Sequence, residues 1–196
     1  MRRPLATTAL VGVTALAGAL LIAAPAQADT CEAGVDCETD LTFEVTAGPL
    51  QITVPDDATL SSGPPGGYAS GQIGDVLVED LRAESGVGWV ASVSSSDFTT
   101  GTGVGAGETI TSDTVYYCSG IADTTGTGTF TPGQVGPCTA PPPPAGVALD
   151  AAATAYSHGT DGSGNNTATW DPLVTVSIPL QSVAGTFTGT ITHSVN

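Results

Sequence analysis

Six side chains carry the metal-binding and redox chemistry open to this chain: Cys31, Cys37, Cys118, Cys138, His158 and His193. Four cysteines allow three pairings. Their short spacing within two well-separated pairs favours Cys31–Cys37 and Cys118–Cys138. The second bridge closes a loop of about 20 residues, contributing roughly 3 kcal/mol by chain entropy. Zinc needs closely spaced Cys/His ligand pairs. Neither cysteine pair has that spacing and both histidines are isolated, so disulfides are expected rather than a zinc site.

Hydrolytic chemistry finds less support. A serine nucleophile needs a histidine base beside it. Asp161-Gly162-Ser163-Gly164 fits neither the Gly-x-Ser-x-Gly elbow nor a chymotrypsin-type order, and reads as a turn. A glycosidase needs two carboxylates across a cleft, but with 19 acids in the chain no single pair stands out. No phosphate-cradling glycine loop precedes a helix. The chain is therefore read as noncatalytic, with no catalytic residues. Calcium has the best donor set among the cofactors considered. Asp161, Ser163 and Asn165 place oxygens at alternate positions of a glycine-rich turn. The helix-loop-helix calcium motif is excluded, because Asn166 stands at its glycine position and Pro172 at its closing glutamate. The same residues also serve ordinary turns by bonding their own backbone, and beyond calcium no cofactor is implied.

Charge narrows the partners. The chain has 3 Lys+Arg against 19 Asp+Glu, a net charge of −16. Two of the three cations are Arg2 and Arg3, which leaves Arg82 alone. Nucleic-acid binding needs many phosphate-neutralising cations, and docking on anionic membranes needs the same; both are excluded. Carboxylate crowding of this kind is expected to raise acid pKa values on average. Stability should then rise as pH falls toward about 5.

Residues 1–28 read as a signal peptide: basic Arg2-Arg3, apolar Leu5 to Ala24, and the small-x-small site Ala26-Gln27-Ala28. The mature chain is expected to be secreted and extracellular, where disulfides persist. Residues 29–196 are expected to form one domain.

The elements that must position these groups are strands. Apolar residues alternate with polar ones between Gly/Pro/Asp turns: Leu41, Phe43 and Val45; Leu50, Ile52 and Val54; Trp89, Ala91 and Val93; Val115 and Tyr117; Val174, Val176 and Ile178; Phe187, Ile191 and Val195. Many short strands at this spacing predict an all-β, antiparallel Greek-key or immunoglobulin-like β-sandwich. Ser61 to Gly71 reads as a loop, and 145–157 as strand or loop rather than helix. The Gly/Thr/Pro-rich stretch at about 119–145 reads as an insertion, tethered at its base by Cys118–Cys138.

Two segments carry a resemblance. Gly86-Val87-Gly88-Trp89-Val90-Ala91-Ser92-Val93-Ser94-Ser95-Ser96-Asp97-Phe98 is similar to the first tryptophan motif of WxL-domain surface proteins of Gram-positive bacteria. Val174-Thr175-Val176-Ser177-Ile178-Pro179, followed by Ala184-Gly185-Thr186-Phe187-Thr188-Gly189-Thr190-Ile191-Thr192-His193-Ser194-Val195, resembles the family's ending. The departures are specific: Ala91 replaces leucine after Trp89-Val90, and His193-Ser194-Val195 stands where Trp-x-Leu would be. The resemblance implies a diverged, cell-wall-associated surface protein, with peptidoglycan or another surface protein as its partner. It singles out Trp89, Phe187 and His193 as binding residues, against the alternative that Trp89 and Phe187 anchor the core. A second function stands beside it, a secreted structural or assembly subunit acting through protein–protein contacts at exposed strand edges.

Overall fold

The computed structural model describes residues 30–196; the predicted signal peptide, residues 1–28, lies outside the described residues. The chain divides into two units, one ending at Phe43 and the other running from Glu44 to Asn196. The described part of the first holds the Cys31–Cys37 disulfide, with Cα atoms 5.9 Å apart, and no strand. The strand expected at Leu41, Phe43 and Val45 is not formed, and these side chains are 87%, 90% and 72% exposed. Alternation supplies a face to bury, but a strand also needs a neighbour for its N–H and C=O groups. No described strand of the chain pairs with this segment.

The second unit is all-β. Its strands begin with β1 (Leu50–Thr53), β2 (Tyr68–Gln72), β3 (Val76–Asp80), β4 (Trp89–Ser95) and β5 (Phe98–Thr99). They continue with β6 (Thr109–Ile110), β7 (Val115–Cys118), β8 (Asp123–Thr125), β9 (Phe130–Pro132) and β10 (Val147–Ala148). The last are β11 (Ala153–His158), β12 (Asn166–Trp170), β13 (Leu173–Ser177) and β14 (Ile191–Val195). Three four-stranded sheets form, in the orders β1-β3-β12-β8, β10-β7-β13-β2 and β14-β4-β11-β9, with β5-β6 as a separate ribbon. Every strand pair is antiparallel.

Side-chain alternation explains the layering. Val76, Val78 and Asp80 of β3, Trp89, Ala91 and Val93 of β4, and Asn166, Ala168 and Trp170 of β12 all point into one core. A register shift between Thr154 and Tyr156 bulges β11. The bulge lets the adjacent Ala155 and Tyr156 both be buried. Strand β13 lies between β7 and β2, and Leu173 to Val176 are buried on both faces. The chain passes from the first sheet to the second at Asp171-Pro172. The Ile73 N–H donates to Pro172 O at 3.2 Å and the Gly74 N–H to Asp171 Oδ1 at 3.0 Å, holding that corner.

Two loop expectations need correcting. Ser61 to Gly71 is loop only as far as Gly67, and its end belongs to β2. The stretch 119–145 is not an appendage. It supplies β8 to the edge of the first sheet and β9 to the edge of the third. The Cys118–Cys138 disulfide, with Cα atoms 5.7 Å apart, ties the start of this excursion to its later part. Residues 145–157 carry β10 and β11, as preferred.

One polar chain crosses the core. The Arg82 Nε and Nη2 groups donate to Asp80 Oδ1 and Oδ2, both at 2.8 Å. Nη2 also donates to Gly88 O at 3.1 Å. Asn166 Nδ2 donates to Asp80 Oδ2 at 3.3 Å, and Trp89 Nε1 donates to Asn166 Oδ1 at 2.8 Å. Strands β3, β12 and β4, from two sheets, are thereby joined. The Arg82 guanidinium holds the Asp80 carboxyl below the usual carboxylate range, against a burial effect that raises it. Arg82→Ala leaves the Asp80 carboxylate buried and unpaired. It should cost about 3 kcal/mol in urea unfolding, and a loss under about 1 kcal/mol would show the pair to be no more than a surface contact. Reducing Cys118–Cys138, or replacing both cysteines by serine, should cost a further ~3 kcal/mol by loop entropy, read in the same assay.

Candidate functional site

A second polar chain leads to an open, largely apolar cavity with His193 in its wall. Trp170 Nε1 donates to the Tyr117 hydroxyl at 2.9 Å, and that hydroxyl lies 3.0 Å from His193 Nε2. An indole N–H can only donate, so the Tyr117 oxygen accepts from Trp170. That leaves the Tyr117 proton free for His193 Nε2, the direction that suits a neutral ring. Burial pushes the Tyr117 hydroxyl well above its ordinary range and lowers His193 from 6.5 to about 4. The Tyr117 and His193 rings meet edge to face at 5.5 Å, and Tyr156 stacks on Trp170 at 5.2 Å. This chain joins β7, β12 and β14, one strand from each sheet.

His193 and Ile191 of β14 form one wall of a cavity of ≈ 220 Å³. Val54, Leu60, Ile73 and Phe98 supply most of the apolar lining, and the exposed Asp56 and Asp57 stand at its rim. Gly189 lies against Phe98: a Cβ there would come 2.7 Å from the Phe98 Cγ, so glycine sets how closely the two segments approach. The lining can take an apolar group, and the histidine offers one hydrogen-bonding edge. No nucleophile stands beside His193 in the described hydrogen-bond network, where its partner is a tyrosine of raised pKa.

The residues singled out by the WxL-like motifs separate. Trp89 is 2% exposed and is a core anchor. It stacks on His158 at 6.0 Å and meets Phe130 edge to face at 6.3 Å. His158 Nε2 lies 2.9 Å from Thr127 O and donates to it. Phe187 is half-buried and packs against the core. His193 is half-buried and belongs to the other network, so Trp89 and His193 do not share an exposed face. Alternation had placed Phe187, Ile191, His193 and Val195 on one side, and Ile191, His193 and Val195 do share the less exposed face of β14. Phe187 lies before that strand, where Thr188 bridges to Thr99.

The turn residues weighed for calcium, Asp161, Ser163 and Asn165, are all exposed. Asp161 Oδ1 and Oδ2 accept from the Thr129 N–H at 2.9 Å and its hydroxyl at 2.6 Å. The Ser163 N–H donates to Thr127 Oγ1 at 2.9 Å. Among the described residues no three His, Cys, Asp or Glu side chains gather as a metal cluster. Glu108 plays a similar latching part in its own loop, accepting from the Thr102 hydroxyl and the Gly105 N–H. Both carboxyls are held below their ordinary values, chiefly by these hydroxyl hydrogen bonds.

Sequence reasoning missed Asp80, Asn166 and Tyr117 as polar members of the core. Asp80 was discoverable: it is in phase with Val76 and Val78, and the only cation past Arg3 lies two residues on. Nothing local marks Asn166 or Tyr117, whose partners lie 77 and 76 residues away.

These groups reverse the expected pH dependence. His193 is depressed from 6.5 to about 4, so the unfolded chain binds more protons between those values. Its contribution is complete above 6.5 and is lost as pH falls toward 4. Asp80, also depressed, loses its contribution further down, below its unfolded value of 3.8. The melting temperature should therefore fall from pH 6.5 to 4 rather than rise. His193→Gln keeps an acceptor for Tyr117 without titrating, and should flatten that interval. A profile identical to the unsubstituted protein's would remove His193 as its cause.

Comparison with protein-family models, curated proteins and solved structures found no match.

Proposed function

We propose that the protein is a noncatalytic, exported β-domain that works by contact with other polypeptides at the cell surface. The observation that carries this reading is where the apolar groups lie. Of the large aromatics that could stack on sugar rings, both tryptophans, Tyr117 and Tyr156 are in the core, and Tyr68 and Tyr116 are half-buried. The strongly exposed apolar side chains in an ordered row are Leu41, Phe43 and Val45, whereas Val104, Ile121, Val135 and Leu180 are scattered singly. A row of that period suits strand addition to a partner's sheet. Two disulfides fit an oxidising compartment. Among the described residues no helix is long and apolar enough to cross a membrane. The sheets in the orders β1-β3-β12-β8 and β14-β4-β11-β9, joined through Asn166 and Trp89, support an immunoglobulin-like sandwich with the third sheet beside it.

The WxL-like residues favour a second reading, attachment to the cell wall through peptidoglycan. Sedimentation with purified peptidoglycan separates the two. Under the polypeptide-contact reading the protein stays in the supernatant at about 0.15 M salt. Pelleting that is indifferent to Phe43→Asp would overturn it in favour of wall binding. For a chain this acidic, such wall binding should strengthen with Ca²⁺ or ionic strength.

A further inference from the structure

We propose that the cavity beside His193 receives an apolar side chain of phenylalanine size, presented between basic residues by a foreign polypeptide. The proposal rests on the polypeptide-contact reading and names the chemistry of that partner. Val54, Leu60, Ile73, Phe98, Val174 and Ile191 give the cavity its apolar lining, and its volume is ≈ 220 Å³. An apolar cavity of about 150 Å³ holds a benzene ring, so the space suits one aromatic side chain. Phe98 and His193 put two rings in its wall, against which an aromatic guest can pack offset or edge to face. Val54 is 41% exposed, so the apolar lining continues out to the surface. The opening admits a side chain and not a strand, because β1 lies against β14 beside it.

Charge decides what flanks that side chain. Asp56 and Asp57 stand exposed at the rim, two and three residues past Val54. The described residues hold no cation to neutralise them. Arg82 is the only Lys or Arg among them, and its fork is held by Asp80. The histidine in the cavity wall is lowered to about 4 and is neutral at neutral pH. A second copy of this chain is the wrong occupant, since its exposed Phe43 lies next to Glu44 and near Asp40. A partner with lysine or arginine on each side of its apolar residue meets opposite charge at the rim. It is also drawn in by a net charge of −16. An aromatic anchor in a desolvated pocket, ringed by complementary charge, is the arrangement that concentrates binding energy at protein interfaces.

Titration of the exported chain with acetylated, amidated pentapeptides is the test, read by NMR amide shifts at neutral pH and about 0.05 M salt. The Gly-Lys-Phe-Lys-Gly peptide should move the amides of Ile73, Gly189 and Ile191, with a Kd of about 1 mM or tighter. Gly-Glu-Phe-Glu-Gly should bind at least about tenfold more weakly. Gly-Lys-Ala-Lys-Gly keeps the charges and loses the ring, and should also be weaker by about tenfold. At about 0.5 M salt the difference between the Lys and Glu peptides should shrink to about twofold. The double substitution Asp56→Asn with Asp57→Asn should remove that difference and keep the preference for Phe over Ala. Val54→Trp, at an exposed position, should plug the mouth and abolish the shifts. The peptide series stands even if a variant fails to fold. No shift of the cavity amides at about 10 mM peptide overturns the proposal. So does equal binding of the Lys-Ala-Lys peptide, which would be attraction to an acidic surface alone, or a Lys-over-Glu preference that the double substitution leaves unchanged. Such a failure in a protein that also ignores peptidoglycan leaves the polypeptide-contact reading standing without this cavity. Pelleting indifferent to Phe43→Asp, with the peptide still seated in the cavity, overturns that reading and leaves the cavity's preference standing.

Discussion

The Arg82–Asp80 pair is the interaction on which the rest of the core depends. A carboxylate taken out of water is costly unless it is paired and hydrogen-bonded. Asp80 is almost fully buried, and Arg82 is the one Lys or Arg after Arg3. A planar fork with both donors at 2.8 Å meets both carboxylate oxygens at once, which an ammonium could not do. That geometry leaves Asp80 Oδ2 able to accept Asn166, and Asn166 in turn fixes the Trp89 indole. Trp89 then sets the positions of His158 on β11 and Phe130 on β9. One cation thus orders side chains in two sheets.

The second network repeats the logic without charge. Trp170 to Tyr117 to His193 spans one strand from each sheet and ends in a neutral imidazole. Both tryptophans of the chain therefore end as donors in buried hydrogen-bond chains. A buried indole needs a partner for its N–H, and here the partner is what ties the sheets together. Trp89 is thus explained by packing, which is the competing account of the tryptophan motif. The neutral histidine also makes the fold sensitive to acid from within, although its surface carries an excess of carboxylates that protonation would relieve.

Period-2 alternation was enough to read the class of the fold and the inward faces of β1, β4, β7 and β14. It failed in three ways with separate physical causes. It located a strand at Leu41–Val45 because pattern reports a face and not a pairing partner. It passed over β8 and β9, since Asp123-Thr124-Thr125 and Phe130-Thr131-Pro132 are edge strands whose exposure removes the apolar signal. It under-described β13, where Leu173 and the polar Thr175 are buried along with Val174 and Val176, so both faces are covered although the alternation shows one. Cysteine spacing did better than pattern, because short loops make local pairing the cheapest to close, and both disulfides join the expected partners. The cavity beside His193 was out of reach, since its walls come from residues 54 to 193 and meet only after all three sheets have formed.

The same composition that isolates Arg82 also decides how the sheet edges are protected. Soluble β proteins commonly place lysine on exposed edges, and this chain has none to place. Strands β2 and β10 are edges with no charged side chain of their own, while β1 and β14 lie against each other. Their protection comes instead from the general repulsion of the chain's 19 acids, most of the described ones outside strands. A gatekeeper charge on the strand itself acts at contact distance and survives moderate salt. Repulsion spread over a surface acts over a screening length, about 8 Å at physiological ionic strength, and shortens as salt rises. Keeping copies apart is therefore a property that the protein shares with its medium, and ions or acid that neutralise the carboxylates would uncover edges that the sequence leaves bare.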